Sequence, residues 1–158
     1  MTDHSMSDKI INLKPPRVVR RREGLRITNP RLAKAKGVLK AAEATAAAQL
    51  WDSAVSRAYY ASFHAAVVYL QETRSGRPPK SGRWSHDYVQ MRFRQCVGAP
   101  EGKLVRRLYQ ARTVADYQMR KMNEKDAEIA IENAKAVLDF VKKSVGSPTT
   151  TTGAKGVT

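Results

Sequence analysis

Apolar side chains recur at steps of three and four along most of this chain, and hardly anywhere do they alternate. Ala127, Ile131, Ala134, Leu138, Val141 and Val145 give the cleanest case: a single stripe along one face of a helix. Asn123 followed by Asp126 reads as a capping box that starts this helix, and Gly146 and Pro148 end it. Val55, Tyr59, Phe63, Val67 and Leu70 form a second stripe, on a helix that Asp52 can cap and that runs to about Glu72. Upstream, Asn29-Pro30 is a helix start, with asparagine as cap and proline at the first helical position. Leu32, Val38, Leu39 and Ala42 follow at helical spacing, and the alanine-rich run from Ala41 to Ala48 favours helix strongly. A break is expected near residues 49–51.

Residues 74–84 hold Gly76, Pro78, Pro79 and Gly82, which predicts a loop. Ser85 can cap a shorter third helix with Tyr88, Met91 and Cys96 among its apolar positions, stopped by Gly98 and Pro100. A fourth helix is expected from about Gly102 to Lys121, with Leu104, Leu108, Ala111, Ala115 and Met119 as its stripe. No strand signal of comparable strength is present. The expectation is therefore all-α: an up-and-down antiparallel bundle of four to five helices over residues 29–146. Residues 1–28 carry Pro15-Pro16 and no sustained periodicity, and read as a basic disordered tail. Residues 147–158, rich in Thr, Gly and Ser, read as a second disordered tail.

Charge changes the picture more than composition does. The formal net charge is +15, with 29 Lys and Arg against 14 Asp and Glu. Residues 1–40 hold eleven basic and three acidic side chains, residues 74–112 ten and two, and residues 123–145 four and five. A basic start and a basic middle are the footprint of a polyanion partner, most simply RNA or DNA. Arg20, Arg21 and Arg22 in the tail, Arg74, Arg77, Lys80 and Arg83 in the loop, and Arg106 and Arg107 on the fourth helix are the candidate RNA contacts. A solubilising surface, or contact with an acidic protein, would use the same residues.

The single cysteine, Cys96, excludes a disulfide within the chain, reads as a small buried hydrophobe and fits a reducing, cytoplasmic location. No apolar run is long enough to span a membrane, and no secretory leader is read at the N-terminus. No His/Cys cluster has metal spacing and no glycine-rich phosphate loop is present, so no cofactor or metal is expected.

Two polar clusters carry candidate chemistry. Arg57, Tyr60 and His64 stand at i, i+3 and i+7 and share a helix face. A histidine can move a proton and an arginine can hold a phosphate, and attack by a ribose 2′-hydroxyl needs no metal. The structural alternative is a core histidine and tyrosine satisfied by neighbouring helices. Arg112 and Asp116, at i and i+4, can form an intrahelical ion pair, or Arg112 can contact phosphate while Asp116 orients it, with Tyr117 and Tyr109 nearby. Asp116 could also reach Arg57 or His64. His86, at the start of the third helix, follows the basic loop and could approach a phosphate, although such histidines are usually surface residues.

The run Ser56-Arg57-Ala58-Tyr59-Tyr60-Ala61-Ser62-Phe63-His64-Ala65-Ala66, then His86, then Arg112-Thr113-Val114-Ala115-Asp116-Tyr117, resembles a HEPN domain. It is most similar to small prokaryotic HEPN proteins with S-R-x-Y-Y-A and R-x-x-A-D-Y patterns, over residues of about 30–145. The resemblance implies a helical bundle that often dimerises. It implies either a ribonuclease or toxin, commonly paired with a small nucleotidyltransferase, or a non-catalytic binding and adaptor module. In nuclease members, Arg-x4–6-His lies on a late helix and two copies complete one site. Here Arg112 matches the arginine, Asp116 and Tyr117 match the subgroup pattern, and no histidine follows on that helix. The catalytic candidates are therefore Arg112, Asp116 and Tyr117, with His64 and Arg57 assisting.

Overall fold

A computed structural model describes residues 29–98 and 100–146. The readings of residues 1–28 and 147–158 as tails, and of Arg20, Arg21 and Arg22 as RNA contacts, lie outside them.

Five helices make up the described chain: α1 (Pro30–Ala47), α2 (Trp51–Glu72), α3 (His86–Val97), α4 (Glu101–Tyr117) and α5 (Glu124–Gly146). The expected all-α bundle is what forms, and α2 is its axis, packed against all four other helices. That position explains its composition. Small residues on several faces, Ala54, Ala58, Ala61, Ala65 and Ala66, are fully buried and let neighbours approach closely. Val55, Tyr59, Val67, Val68 and Leu70 are buried with them and fill the space between. Each such valine or leucine contributes about 1.5–3 kcal/mol on burial.

Local signals set most boundaries. The Asn29 side chain accepts from the backbone N–H of Arg31 and of Leu32, at 2.9 and 3.4 Å, and its amide donates to Glu72 at 2.7 Å. The start of α1 is thereby tied to the end of the antiparallel α2. Asn123 and Asp126 form the reciprocal box: each side chain accepts from the other's backbone N–H, at 3.0 and 3.2 Å. Ser85 caps α3 by accepting from Tyr88 N–H at 3.2 Å, and Gly98 ends it at φ +76°, where a side chain would be strained.

Three expectations need correction. Asp52 does not cap α2, which starts at Trp51 after an uncapped Leu50. Its carboxylate instead accepts from Met122 N–H at 2.9 Å, binding the α4–α5 connection to the start of α2. Helix α4 ends at Tyr117 and not near Lys121, because Gln118 is extended, so Met119 leaves the stripe and is fully exposed. The α3 face is phased differently: Val89, Gln90 and Phe93 are buried, Met91 is 52% exposed, and Tyr88 and Cys96 are only half-buried. Phe93 sets this phase by standing edge-on to Tyr69 and Phe140, at 5.4 and 6.3 Å between ring centres.

The 73–85 loop is pinned at its start and left open along its length. Arg77 N–H donates to the Tyr88 hydroxyl at 3.0 Å and Arg92 Nε donates to the Ser75 carbonyl at 2.6 Å. Gly76 sits against Leu70 and Trp84, where an added Cβ would stand 2.9 Å from Leu70 Cβ. Arg74, Arg77, Lys80 and Arg83 remain exposed.

Candidate functional site: an arginine–tyrosine–histidine cluster beside a basic groove

Ser56, Tyr59, Tyr60 and Phe63 lie along one side of α2 at steps of three, one and three, so all four face the same neighbours. Helix α4 presents Tyr109, Arg112 and Asp116 to them by the same periodicity. Arg112 Nε donates to Asp116 at 2.6 Å, and Nη2 donates to the Tyr117 hydroxyl at 3.4 Å. The Ser56 hydroxyl donates to the other Asp116 oxygen, across the α2–α4 contact. The guanidinium carbon lies 5.3 Å from the Tyr60 ring centre, 5.6 Å from that of Tyr117 and 6.0 Å from that of Tyr59. Three aromatic rings and a carboxylate therefore hold one cation, an arrangement that suits a planar guanidinium better than an ammonium. Nη1 donates no hydrogen bond among the described residues.

The first residue of α3 completes the cluster. His86 Nδ1 pairs with the Tyr59 hydroxyl. The imidazole packs 4.7 Å from the Phe63 ring centre and stacks on Tyr109 at 6.0 Å and 27°. Burial pushes its pKa below the usual histidine value, and the Arg112 charge pushes the same way while Asp87 opposes. The Tyr59 phenol is held far above its ordinary range by burial, with Arg112 opposing. For Arg112, burial is the largest single influence and works against the charge, but the Asp116 hydrogen bond together with the charges of Tyr60, Asp116 and Tyr117 outweighs it and raises the pKa. Near neutral pH the cluster thus holds a charged guanidinium, an uncharged imidazole and an uncharged phenol.

Arg112, Asp116 and Tyr117 come together, and neither Arg57 nor His64 joins them. Arg57 is exposed and has no hydrogen bond or ion pair among the described residues. His64 is turned toward α1, with a buried Nδ1 that has no partner. Burial, with Lys34 and Arg31 adding, pushes its pKa down to about 4. At about 100° per residue, Arg57 and His64 lie roughly 100° around α2 from the side that Ser56, Tyr59 and Phe63 present to α4, and only Tyr60, on the edge between the two, reaches Arg112. Asp116 accordingly meets Ser56, not Arg57 or His64. His86 and Tyr59 were the residues that sequence reasoning left out of the site, and nothing in the periodicity of α2 or α4 points to a partner 27 residues away.

An open groove of about 550 Å³ runs between α3 and α4, lined by Asp87, Gln90, Met91, Arg94, Gln95, Arg106, Tyr109 and Gln110. It continues into a depression of about 190 Å³ that adds Lys103 and Arg107. Tyr109 belongs to both groove and cluster, since its ring also meets Tyr59 edge-on at 5.4 Å. Among the described residues, Arg94, Lys103, Arg106 and Arg107 have no acidic partner. Arg94 and Lys103 are groove residues that the sequence reading missed; the i, i+4 spacing of Gln90 with Arg94 and of Arg106 with Gln110 is the signal that marks these faces. No group of His, Cys, Asp and Glu among the described residues could hold a metal ion. No described helix is long and apolar enough to cross a membrane.

Compared with known proteins, the chain matches the family described as HEPN domain over residues 29–144, which takes in all five helices up to the last turn of α5. No curated protein matches it at a significant level.

Proposed function

The chain belongs to the HEPN domain family, and from that premise and the geometry of its site we propose that it is an RNA-binding protein whose α3–α4 face takes the nucleic acid. One observation carries this reading: Arg94, Lys103, Arg106 and Arg107 line a continuous groove and none of them is ion-paired among the described residues, with Asp87 the one carboxylate on its wall. Unpaired cations on one concave face raise the local concentration of a polyanion and release its counterions on contact. Arg74, Arg77, Lys80 and Arg83 on the exposed loop extend the positive field from α2 to α3. Titration of the full chain with fluorescently labelled single-stranded RNA tests this. Binding should weaken steeply with salt, and should weaken further in Arg94→Ala/Arg106→Ala. Binding that is absent, or indifferent to salt, sinks the reading and leaves an acidic protein, such as a nucleotidyltransferase partner, as the ligand to seek.

A second reading, metal-independent RNA cleavage, is favoured by one specific feature. An imidazole kept neutral by burial stands beside a cation that could carry developing phosphate charge. In that reading Arg112 Nη1 meets a non-bridging phosphate oxygen, Asp116 and Tyr117 fix the guanidinium, and His86 accepts the proton of the attacking 2′-hydroxyl; the P–O5′ bond breaks, leaving a 2′,3′-cyclic phosphate, and the departing 5′-oxygen takes a proton from water or from the protonated imidazole. Incubation of labelled total RNA and tRNA with a chelator present separates the readings. Cleavage by the wild type and not by Arg112→Ala makes the protein a nuclease. Salt-sensitive binding without cleavage makes it a binding module.

A further inference from the structure

Tyr117 is the one exposed aromatic side chain among the described residues, at 74%. Helical spacing places it on the wall of the groove. It stands seven residues beyond Gln110 and eleven beyond Arg106, both close to whole turns of α4, so it continues the face that those two present. Helix α3 begins at His86, which stacks on Tyr109, and α4 runs about two turns past that point before it ends at Tyr117. An exposed phenol is ordinarily free to turn, but this one is held. Its hydroxyl accepts from Arg112 Nη2 at 3.4 Å, and the guanidinium carbon lies over the ring, 5.6 Å from its centre. A cation over one face, on a side chain this exposed, leaves the other face bare. Single-strand binding uses the same construction: a line of cations follows the backbone, and a fixed aromatic ring takes a base.

We infer that the open face of Tyr117 is a stacking platform for one unpaired base of an RNA strand whose neighbouring phosphates lie along Arg106 and Lys103, an inference that rests on the RNA-binding reading above. Tyr117 lies about 10 Å beyond Gln110 along the helix axis, so a strand that engages both ring and groove is longer than a mononucleotide. Every base has a π-face, so the platform grips a strand without selecting its sequence. A base paired inside a duplex has no free face to offer, which makes the ligand single-stranded. Arg112, behind the ring, fixes the platform through its attraction to the π-electrons. A protein partner, or a second copy of this chain, would also cover Tyr117, together with the fully exposed Met119 two residues on. The unpaired cations on the same helix face favour the polyanion.

The test uses fluorescence anisotropy on the full wild-type chain, Tyr117→Ala and Tyr117→Phe. The probes are a short unstructured RNA, an abasic strand with the same number of phosphates, and a duplex of the RNA. The wild type should bind the RNA about tenfold more tightly than the abasic strand, the weight of one base on an aromatic ring. Tyr117→Ala should bind the two within about twofold of each other, with the same salt dependence as the wild type, since the cations that meet phosphate are untouched. Tyr117→Phe keeps the ring without the hydroxyl and should recover most of what the alanine variant loses. The duplex should not distinguish the wild type from Tyr117→Ala. A Tyr117→Phe variant as weak as Tyr117→Ala overturns the platform, because the hydroxyl's hold on Arg112 would then be what matters. Equal binding of the RNA and the abasic strand by the wild type also overturns it. So does light scattering in which Tyr117→Ala dissociates a wild-type oligomer without RNA, which would put the ring between copies. RNA binding stands in all three cases, whereas no RNA bound by the wild type overturns both readings.

Discussion

Two histidines of this protein are pushed toward their neutral forms in different surroundings. His86 is half-buried among aromatic rings near a cation, and His64 is half-buried against α1 with Arg31 and Lys34 at hand. The sign of the consequence is the same for both. The folded pKa of His64, about 4, lies below the ordinary 6.5, so the unfolded chain takes up its proton first as the pH falls. Stability is therefore full above pH 6.5, declines as the pH drops toward 4, and flattens below it. Partial exposure of the ring discounts the effect to on the order of 1–2 kcal/mol. Urea unfolding at neutral pH and near pH 5 should show this loss. His64→Leu should recover much of it, having no proton to bind and no unpartnered Nδ1 to bury. A wild-type midpoint that does not move with pH would mean that His64 is solvated. Because His64 faces α1, the same substitution should leave RNA binding and any cleavage unchanged, unlike a change at Arg112.

At the scale of elements, the contact of α3 with α4 decides the shape of the groove. Gly102, in the first turn of α4, allows the two helices to touch: a Cβ there would stand 3.0 Å from Arg94 Cα and 3.2 Å from its carbonyl oxygen. Both are backbone atoms with no rotamer to yield, so Gly102→Ala must push the helices apart. We expect a cost of about 1–3 kcal/mol in thermal unfolding, together with weaker RNA binding as Arg94 moves from Arg106. Unchanged stability would show that α3 shifts freely. Helical order was plain in the sequence because capping and periodicity act within a few residues: Asn29, Ser85 and the Asn123–Asp126 box all do what their types dictate. The α3 face was misread because twelve residues carry Tyr88, Val89, Met91, Phe93 and Cys96 on several sides, and Tyr69 and Phe140 choose among them. Half of the Arg112 cluster was legible for a similar reason. The i, i+4 pair of Arg112 and Asp116 is local, whereas the approach of His86 to Tyr59 follows from how α3 docks on α2 and α4, which no single helix encodes.

Across the whole molecule, positive charge is sorted and not merely abundant. Apart from the Arg112–Asp116 pair of the site, the described ion pairs lie on α1, α5 and the connection before α5: Lys135 with Glu43 at 2.7 Å, Lys142 with Asp139 at 3.0 Å, and Arg120 with Asp126 at 3.6 Å. Acidic side chains thus damp the field along α5, while the α3–α4 face keeps four cations without such partners and α1 keeps Arg31, Lys34, Lys36 and Lys40 likewise. The α3–α4 cations differ in lining a groove, and the salt dependence of binding measures how many phosphates a strand seated there neutralises. Arg106→Ser/Arg107→Ser should flatten the slope of log affinity against log salt by about one for each phosphate left without its arginine. Removing residues 1–28, which hold seven basic and three acidic side chains, should also lower affinity and flatten the slope. The two changes differ in what remains. Loss of the tail leaves the cations of the groove in place, so the truncated protein is expected to keep salt-dependent binding through the α3–α4 face. If the truncated protein instead fails to bind and the Arg106→Ser/Arg107→Ser variant still does, the tail is the RNA-binding element and the α3–α4 face has some other partner.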